Sequence, residues 1–219
     1  MRMYSQDIID RYNKVTLASV ADACNLVVGH WTYMSSDVKN QINDKRFAGP
    51  AKTVVEGKVD GTNPPSLAID AIDSAEDGDV LVIGFVGDAT DCALLGGMMA
   101  AGAKVNGMVG VVLDGAVRDV PEIRREYQLP VAARSISPGS TVGRYGTLDS
   151  NVPVTCGGVL VSPGDLIVAD VDGVVVVPRA HVEAVLAEAE SIDEREAAQT
   201  KVILESGSLQ QGLNLYNRI

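Results

Sequence analysis

An α/β fold is expected for this chain, and three features of the sequence carry that expectation. Turn residues feed short apolar runs, as in Asp77-Gly78-Asp79 before residues 80–83 and Gly107 before 109–113, which is how central strands buried on both faces read. Between those runs lie helix-forming stretches, chiefly 93–106, rich in Ala, Met and Leu and closed by Gly107. Beyond residue 150 the character changes to short strands at 152–154, 158–161, 166–169 and 174–177, divided by Gly, Pro and Asp. The alternation predicts a parallel layer, and the later strands a second, β-rich layer joined by tight turns.

The remaining elements follow in order. Residues 1–25 read as helical, with Thr16 or Ser19 capping a segment that carries Val20, Ala21 and Cys24. A strand over 47–56 is entered through Gly49-Pro50. Asn63-Pro64-Pro65 breaks the chain and starts a helix with Leu67, Ile69 and Ile72 as its apolar residues. The strand at 109–113 ends in Asp114-Gly115 and then the polar Arg118-Asp119; 121–127 reads as a short helix and 130–133 as a strand. Residues 181–205 form a long helix whose Val182, Val185, Ala189 and Ile192 step by three and four, a seam facing a partner layer. Glu196, Gln199 and Ile203 continue that seam. Either the helix leaves its core there and Glu196 is wet, or Glu196 faces a polar site, in another subunit. The tail, 209–219, carries Leu213, Leu215 and Tyr216 and is expected to pack. This divides the chain into one domain, 1–180, and a C-terminal helical arm, 181–219, expected to pack on a neighbouring subunit.

Composition bounds the function. With 219 residues, 46% of them hydrophobic and only 4% aromatic, the chain can bury one large aliphatic core. A net charge of −11 argues against a nucleic-acid partner, whose phosphates call for clustered Lys and Arg, and leaves a basic protein partner open. No apolar run reaches the roughly 18 residues of a membrane span, and the N-terminus lacks the apolar centre of a signal peptide. A soluble, cytoplasmic protein with no membrane partner is therefore expected. Cys24, Cys92 and Cys156 are isolated, form no Cys-x-x-Cys, and pair with neither His30 nor His181; they read as small buried hydrophobes, not as a zinc or disulfide framework.

The chemistry concentrates between Gly96 and Asp119. Gly96-Gly97 lies near a helix start, where free N–H groups and absent side chains admit an anion; the same glycines would equally let the helix pack closely on the sheet. The following strand presents Asp114, Arg118 and Asp119 at its carboxyl end, where open α/β layers bind ligands. Arg118 beside Asp119 offers a cation for a carboxylate or enolate and a hard oxygen ligand for Mg²⁺ or Mn²⁺, or else an ordinary solvated pair capping the next helix.

These segments also carry a resemblance. Phe47-Ala48-Gly49-Pro50-Ala51, the strand after Asp77, the run from Gly107 through Asp114-Gly115-Ala116-Val117-Arg118-Asp119, Asn151-Val152-Pro153-Val154, Gly157-Gly158-Val159, and Pro163-Gly164-Asp165 through Gly173 to Pro178 are similar to the superfamily of proteins like the regulator of ribonuclease activity A. That superfamily includes the 4-hydroxy-4-methyl-2-oxoglutarate aldolases, often mislabelled demethylmenaquinone methyltransferase. The likeness spans about 16–217. A methyltransferase is a poor fit, because no glycine-rich nucleotide loop follows an early strand.

The resemblance implies a swivelling β/β/α domain assembled as a homotrimer or hexamer, with sites at subunit interfaces. It implies a divalent-metal-dependent lyase that cleaves 4-hydroxy-4-methyl-2-oxoglutarate-like 2-oxo acids to pyruvate and also decarboxylates oxaloacetate. Asp119 matches the metal-binding Asp, Arg118 the catalytic Arg that holds the substrate's oxygens, and Gly96, Gly97, Met98 and Met99 the Gly-x-Leu-Leu loop whose amides take the pyruvate carboxylate. Glu196 is the best match for a catalytic carboxylate that reaches a neighbour's metal through water, with Glu194 the fallback. The aldolases usually carry Asp or Glu where this chain has Gly97; Asp88 or Asp91 is the candidate replacement. The alternative function is a non-catalytic regulator that binds and inhibits a ribonuclease.

Overall fold

A computed structural model describes residues 3–61 and 64–216, so Asn63 of the expected break and 217–219 of the tail fall outside the described residues. The chain opens with α1 (Gln6–Tyr12) and α2 (Leu17–Val28), whose caps Ser5 and Thr16 accept hydrogen bonds from the Ile8 and Ser19 N–H groups. There follow β1 (Lys39–Asn40), β2 (Phe47–Lys58), α3 (Ser66–Asp73), β3 (Val80–Phe85), β4 (Ala89–Leu95), α4 (Gly97–Val105) and β5 (Gly110–Val117). Next come α5 (Val120–Glu122), continued by a π-turn at Ile123–Tyr127, then β6 (Val131–Ile136) and β7 (Tyr145–Ser150). The chain closes with β8 (Val154–Cys156), β9 (Val159–Val161), β10 (Leu166–Ala169), β11 (Val174–Val177), α6 (Val182–Ser206) and α7 (Leu209–Tyr216).

Among the described residues nine strands form one sheet in the order β1-β6-β5-β3-β2-β10-β11, with β4 added to β5 and β7 to β2. The inner strands β2, β3, β5 and β6 are parallel, as expected, and β10 and β11 run antiparallel to their neighbours. Both faces are buried. Leu81, Ile83, Val111, Leu113 and Val131 point towards α3, α4 and α5; Val80, Val82, Val112 and Ala132 point towards the β8–β9 hairpin. Leu166, Val168, Val175 and Val177 form a further core with α1, α2 and α6. The result is a mixed α/β domain with N-terminal helices and a long C-terminal helix.

Several expectations need correction. Residues 93–95 are strand, not helix: Ala93 and Leu95 pair with Ala116 and Val117 of β5, and burial of Leu94 and Leu95 in the sheet overrides their helix propensity. The strand after Gly107 does not stop at Leu113 but runs to Val117, with Gly115 and Ala116 buried. Ile69 is exposed, and Ala68, Ala71 and Ile72 form the buried side of α3. The expected seam of Val182, Val185, Ala189 and Ile192 does face a partner layer, joined by Leu186, and that layer is the chain's own α1, α2 and β10–β11. The expected arm thus begins as a layer of this domain, held to α1 by the two-point Arg11–Glu190 pair at 2.7 and 2.6 Å. Further along, Gln199 is buried whereas Glu196 is exposed. In the tail, Leu215 is exposed, and α7 packs Gly212 against Ile203.

One buried carboxyl departs from the aliphatic pattern. Glu56 of β2 is fully enclosed, neither oxygen has a hydrogen-bond partner, and burial pushes its pKa up to about 7 from 4.5. The folded chain therefore keeps a proton that the unfolded chain releases, so stability falls as pH rises from about 4.5 to about 7, by on the order of 3 kcal/mol. Glu56→Gln should flatten that slope and make the protein more stable than wild type at pH 8. Urea unfolding at pH 5 and pH 8 checks this; an unchanged pH dependence in the variant would assign the slope elsewhere.

Candidate functional site

Pairing of β4 with β5 builds the site. Because β4 lies alongside the end of β5, the Arg118 N–H donates to the Leu95 carbonyl at 3.0 Å, and the start of α4 is set against Arg118 and Asp119. Gly96 is the N-cap of α4, with extended backbone. Its importance is space: a Cβ there would lie 2.8 Å from both Arg118 Nε and Asp119 Oδ2. Gly97 donates its N–H to Asp119 Oδ2 at 2.9 Å, and Arg118 Nε stands 3.6 Å from the same oxygen. Asp119 itself is left-handed, at φ 58, a conformation that Asp adopts more readily than most side chains. Both members of the pair are partly open, at 37% and 44% exposure.

A cavity of about 480 Å³ takes in Gly96 to Met99, Arg118, Asp119 and Glu122 on one side and Ser140 to Val142 on another, a size suited to a small molecule. Of the four residues expected to supply amides, Gly97 has its N–H committed to Asp119, so its part is to orient that carboxylate. The Met98 and Met99 N–H groups belong to the first helical turn, where no intrahelical acceptor exists, and they can take an anion. The Met98 side chain is largely exposed, while Met99 leans on the core.

Other expected residues lie elsewhere. Asp114 is not at the site: it accepts from Arg134 Nε at 2.6 Å and from the Gly157 N–H at 3.1 Å, tying the sheet to the hairpin. Neither Asp88 nor Asp91 lines the cavity. Glu196 and Glu194 are exposed on α6 and do not line this chain's cavity. Burial raises the thiol pKa of Cys24 to about 11 and raises those of Cys92 and Cys156, which removes a thiolate nucleophile at neutral pH.

Sequence reasoning missed Glu122. Its carboxylate lies 2.6–2.9 Å from where a Cβ of residue 97 would sit, so it fills the space that a side chain at 97 would take. The available signal was its place one helical turn after Asp119. Among the described residues no cluster of three or more His, Cys, Asp or Glu side chains could hold a metal. The donor set still fits a hard cation such as Mg²⁺, which keeps several waters and needs one or two carboxylates plus substrate oxygens. Asp119 Oδ1, free of any hydrogen bond among the described residues, could supply one such ligand.

Gly96→Ala tests how tightly this arrangement is drawn. The new methyl must displace the ends of Arg118 and Asp119, which are flexible, so any activity that depends on this pair should fall at least about tenfold while the melting temperature barely moves. Unchanged kinetics would mean that the pair tolerates displacement.

Residues 17–176 match the family model described as RraA-like, Aldolase/RraA. A Halalkalibacterium halodurans protein provisionally named 4-hydroxy-4-methyl-2-oxoglutarate aldolase is 32% identical over 200 residues, covering 90% of this chain and 89% of that protein. Solved structures share the fold, two of them over most of both chains. One, from Pseudomonas syringae pv. tomato, has 27% identity and a TM-score of 0.85, covering 97% and 95% of the two chains. The other is RraAS2 of Streptomyces coelicolor, described as an unusual member of the RNase ES inhibitor RraA family, with 28% identity and a TM-score of 0.78, covering 88% and 96%. No helix among the described residues is long and apolar enough to cross a membrane. With almost three quarters of its length matched by one family model, the chain belongs to the Aldolase/RraA family.

Proposed function

We propose that this chain is a divalent-metal-dependent lyase that cleaves 4-hydroxy-4-methyl-2-oxoglutarate-like 2-oxo acids to pyruvate and decarboxylates oxaloacetate. The observation that carries this is the convergence of the Arg118 guanidinium, the Asp119 carboxylate and the open first turn of α4 on one cavity. Asp119 would hold a cation such as Mg²⁺ or Mn²⁺, which would supply Lewis acidity to the 2-oxo acid. Arg118 binds the 2-oxo oxygen and stabilises the negative charge that grows there as the enolate forms. The Met98 and Met99 amides anchor the carboxylate. The same electron sink serves carbon–carbon cleavage by retro-aldol or by loss of CO₂.

Relatives named as aldolases support the lyase reading. The deciding experiment is pyruvate release from both substrates with and without Mg²⁺. Release that chelator abolishes and borohydride leaves intact is expected, since no lysine lines the cavity among the described residues. No release with any divalent metal would favour the ribonuclease-regulator alternative, for which the acidic charge suits a basic partner.

The homotrimer or hexamer belongs to this proposal, with the exposed Glu196 supplied to a neighbour's cavity. Mixing Asp119→Ala subunits with Glu196→Ala subunits should then restore activity that neither has alone. No recovery in mixed oligomers verified by mass would remove Glu196 from the mechanism.

A further inference from the structure

We infer that Glu122 carries the proton in this reaction, taking it from the substrate hydroxyl and returning it to the enolate carbon. The inference rests on the lyase reading above, and three observations support it. First, among the described residues that line the cavity, the side chains able to take and return a proton are the carboxylates of Asp73, Asp119 and Glu122; no His, Lys or Cys lines it. Asp73 is exposed at the end of α3. Asp119 has Oδ2 held by the Gly97 N–H and its other oxygen assigned to the cation.

Second, Glu122 is fixed in place. The Tyr127 hydroxyl, carried on the π-turn, donates to Glu122 Oε1 at 3.0 Å, and that bond raises the Tyr127 pKa, so the phenol keeps its own proton. Oε2 lies 2.6 Å from the position of a Gly97 Cβ, on the side of α4 where the free amides begin. Third, Gly97 leaves the room. Any side chain there would occupy the volume of the Glu122 carboxylate, so the glycine and the glutamate are matched in size as well as in place.

For the retro-aldol cleavage the proton balance closes without another reactant. In the retro-aldol direction the Glu122 carboxylate takes the proton of the 4-hydroxyl as the C3–C4 bond breaks. The bond's electron pair passes to the 2-oxo oxygen to make the pyruvate enolate, and the second oxo acid leaves. The Glu122 carboxylic acid then gives its proton to C3, completing the methyl group of pyruvate. In oxaloacetate decarboxylation no hydroxyl proton is released, so Glu122 first takes a proton from solvent; CO₂ then leaves and the Glu122 carboxylic acid gives that proton to C3.

The test is exchange of pyruvate methyl protons in D₂O, followed by NMR, alongside Mn²⁺ affinity measured by calorimetry on the same proteins. Glu122→Gln should lower the exchange rate by about 100-fold or more, with Mn²⁺ affinity and pyruvate KM unchanged. Moving the carboxylate to the other wall, in the double variant Gly97→Glu/Glu122→Ala, should recover part of that exchange. Gly97→Ala alone, which pushes Glu122 aside, should lower it.

Glu122→Gln with wild-type exchange would overturn the assignment and leave the lyase reading standing. A loss of exchange in step with a tenfold or greater loss of Mn²⁺ affinity would also overturn it, by making Glu122 a holder of the metal. Wild-type protein that neither exchanges pyruvate nor cleaves either substrate would overturn the lyase reading and this inference together.

Discussion

In the proposed metal-dependent reaction, Asp119→Asn should lower turnover by at least roughly 100-fold, because several kcal/mol of Lewis-acid stabilisation would go with the ligand, yet leave folding almost untouched. Asn is among the few residues that accept the left-handed backbone at φ 58, and its side-chain oxygen can still receive the Gly97 N–H. Only the charge is removed. Asp119→Ala separates the two effects. It loses the same ligand but also strains the backbone by about 1 kcal/mol, a fall of about 2–4 °C in melting temperature for a chain of this size. Calorimetry with Mn²⁺, steady-state pyruvate release and thermal melts on the two variants make the comparison. An Asn variant with near-normal turnover and Mn²⁺ affinity would rule out Asp119 as the ligand.

Arg118→Lys should be nearly as damaging, at about 10²-fold in kcat. The backbone bond from residue 118 to the Leu95 carbonyl survives the change, so the strand pairing that places the side chain persists. What goes is the planar fork, which reaches two oxygens at once; an ammonium offers a single point of charge. Because in the proposed reaction the charge that Arg118 meets grows towards the enolate, the loss should fall mainly on kcat, with a smaller rise in KM. A variant whose KM alone rises would recast Arg118 as a binding group for the substrate's ground state.

The mixed α/β plan and most elements could be read from the sequence because local chemistry and burial agree there, but of the expected second β-rich layer only the β8–β9 hairpin stands apart, since β10 and β11 join the main sheet beside β2. Thr16 caps α2 as its side chain suggests, and β3 and β5 bury every second residue on each face. Where local and tertiary signals conflict, the sequence misleads. Residues 93–95 carry helix formers but are held as strand by pairing with β5. Strand β7, with its polar Tyr-Gly-Thr-Leu-Asp-Ser, has no apolar alternation to reveal it and exists because β2 offers it an edge. Glu56 looks like any strand glutamate until its burial is seen. At the site, Arg118 and Asp119 stand out as a pair, but Glu122 gains its meaning only from Gly97, which is far away along the chain and adjacent in space.

The pairing of β4 with β5 also bears on how this protein matures after synthesis. Neither half of the site is a site alone: helix α4 by itself offers amides with no carboxylate, and the turn after β5 offers a carboxylate with nothing to aim it. They meet through parallel strands joined by a helical crossover, a non-local closure whose entropy must be met before its contacts form. The proposed metal affinity and activity should accordingly emerge only once β4 has paired with β5 during refolding. A collapsed, helix-containing intermediate would be blind to Mn²⁺.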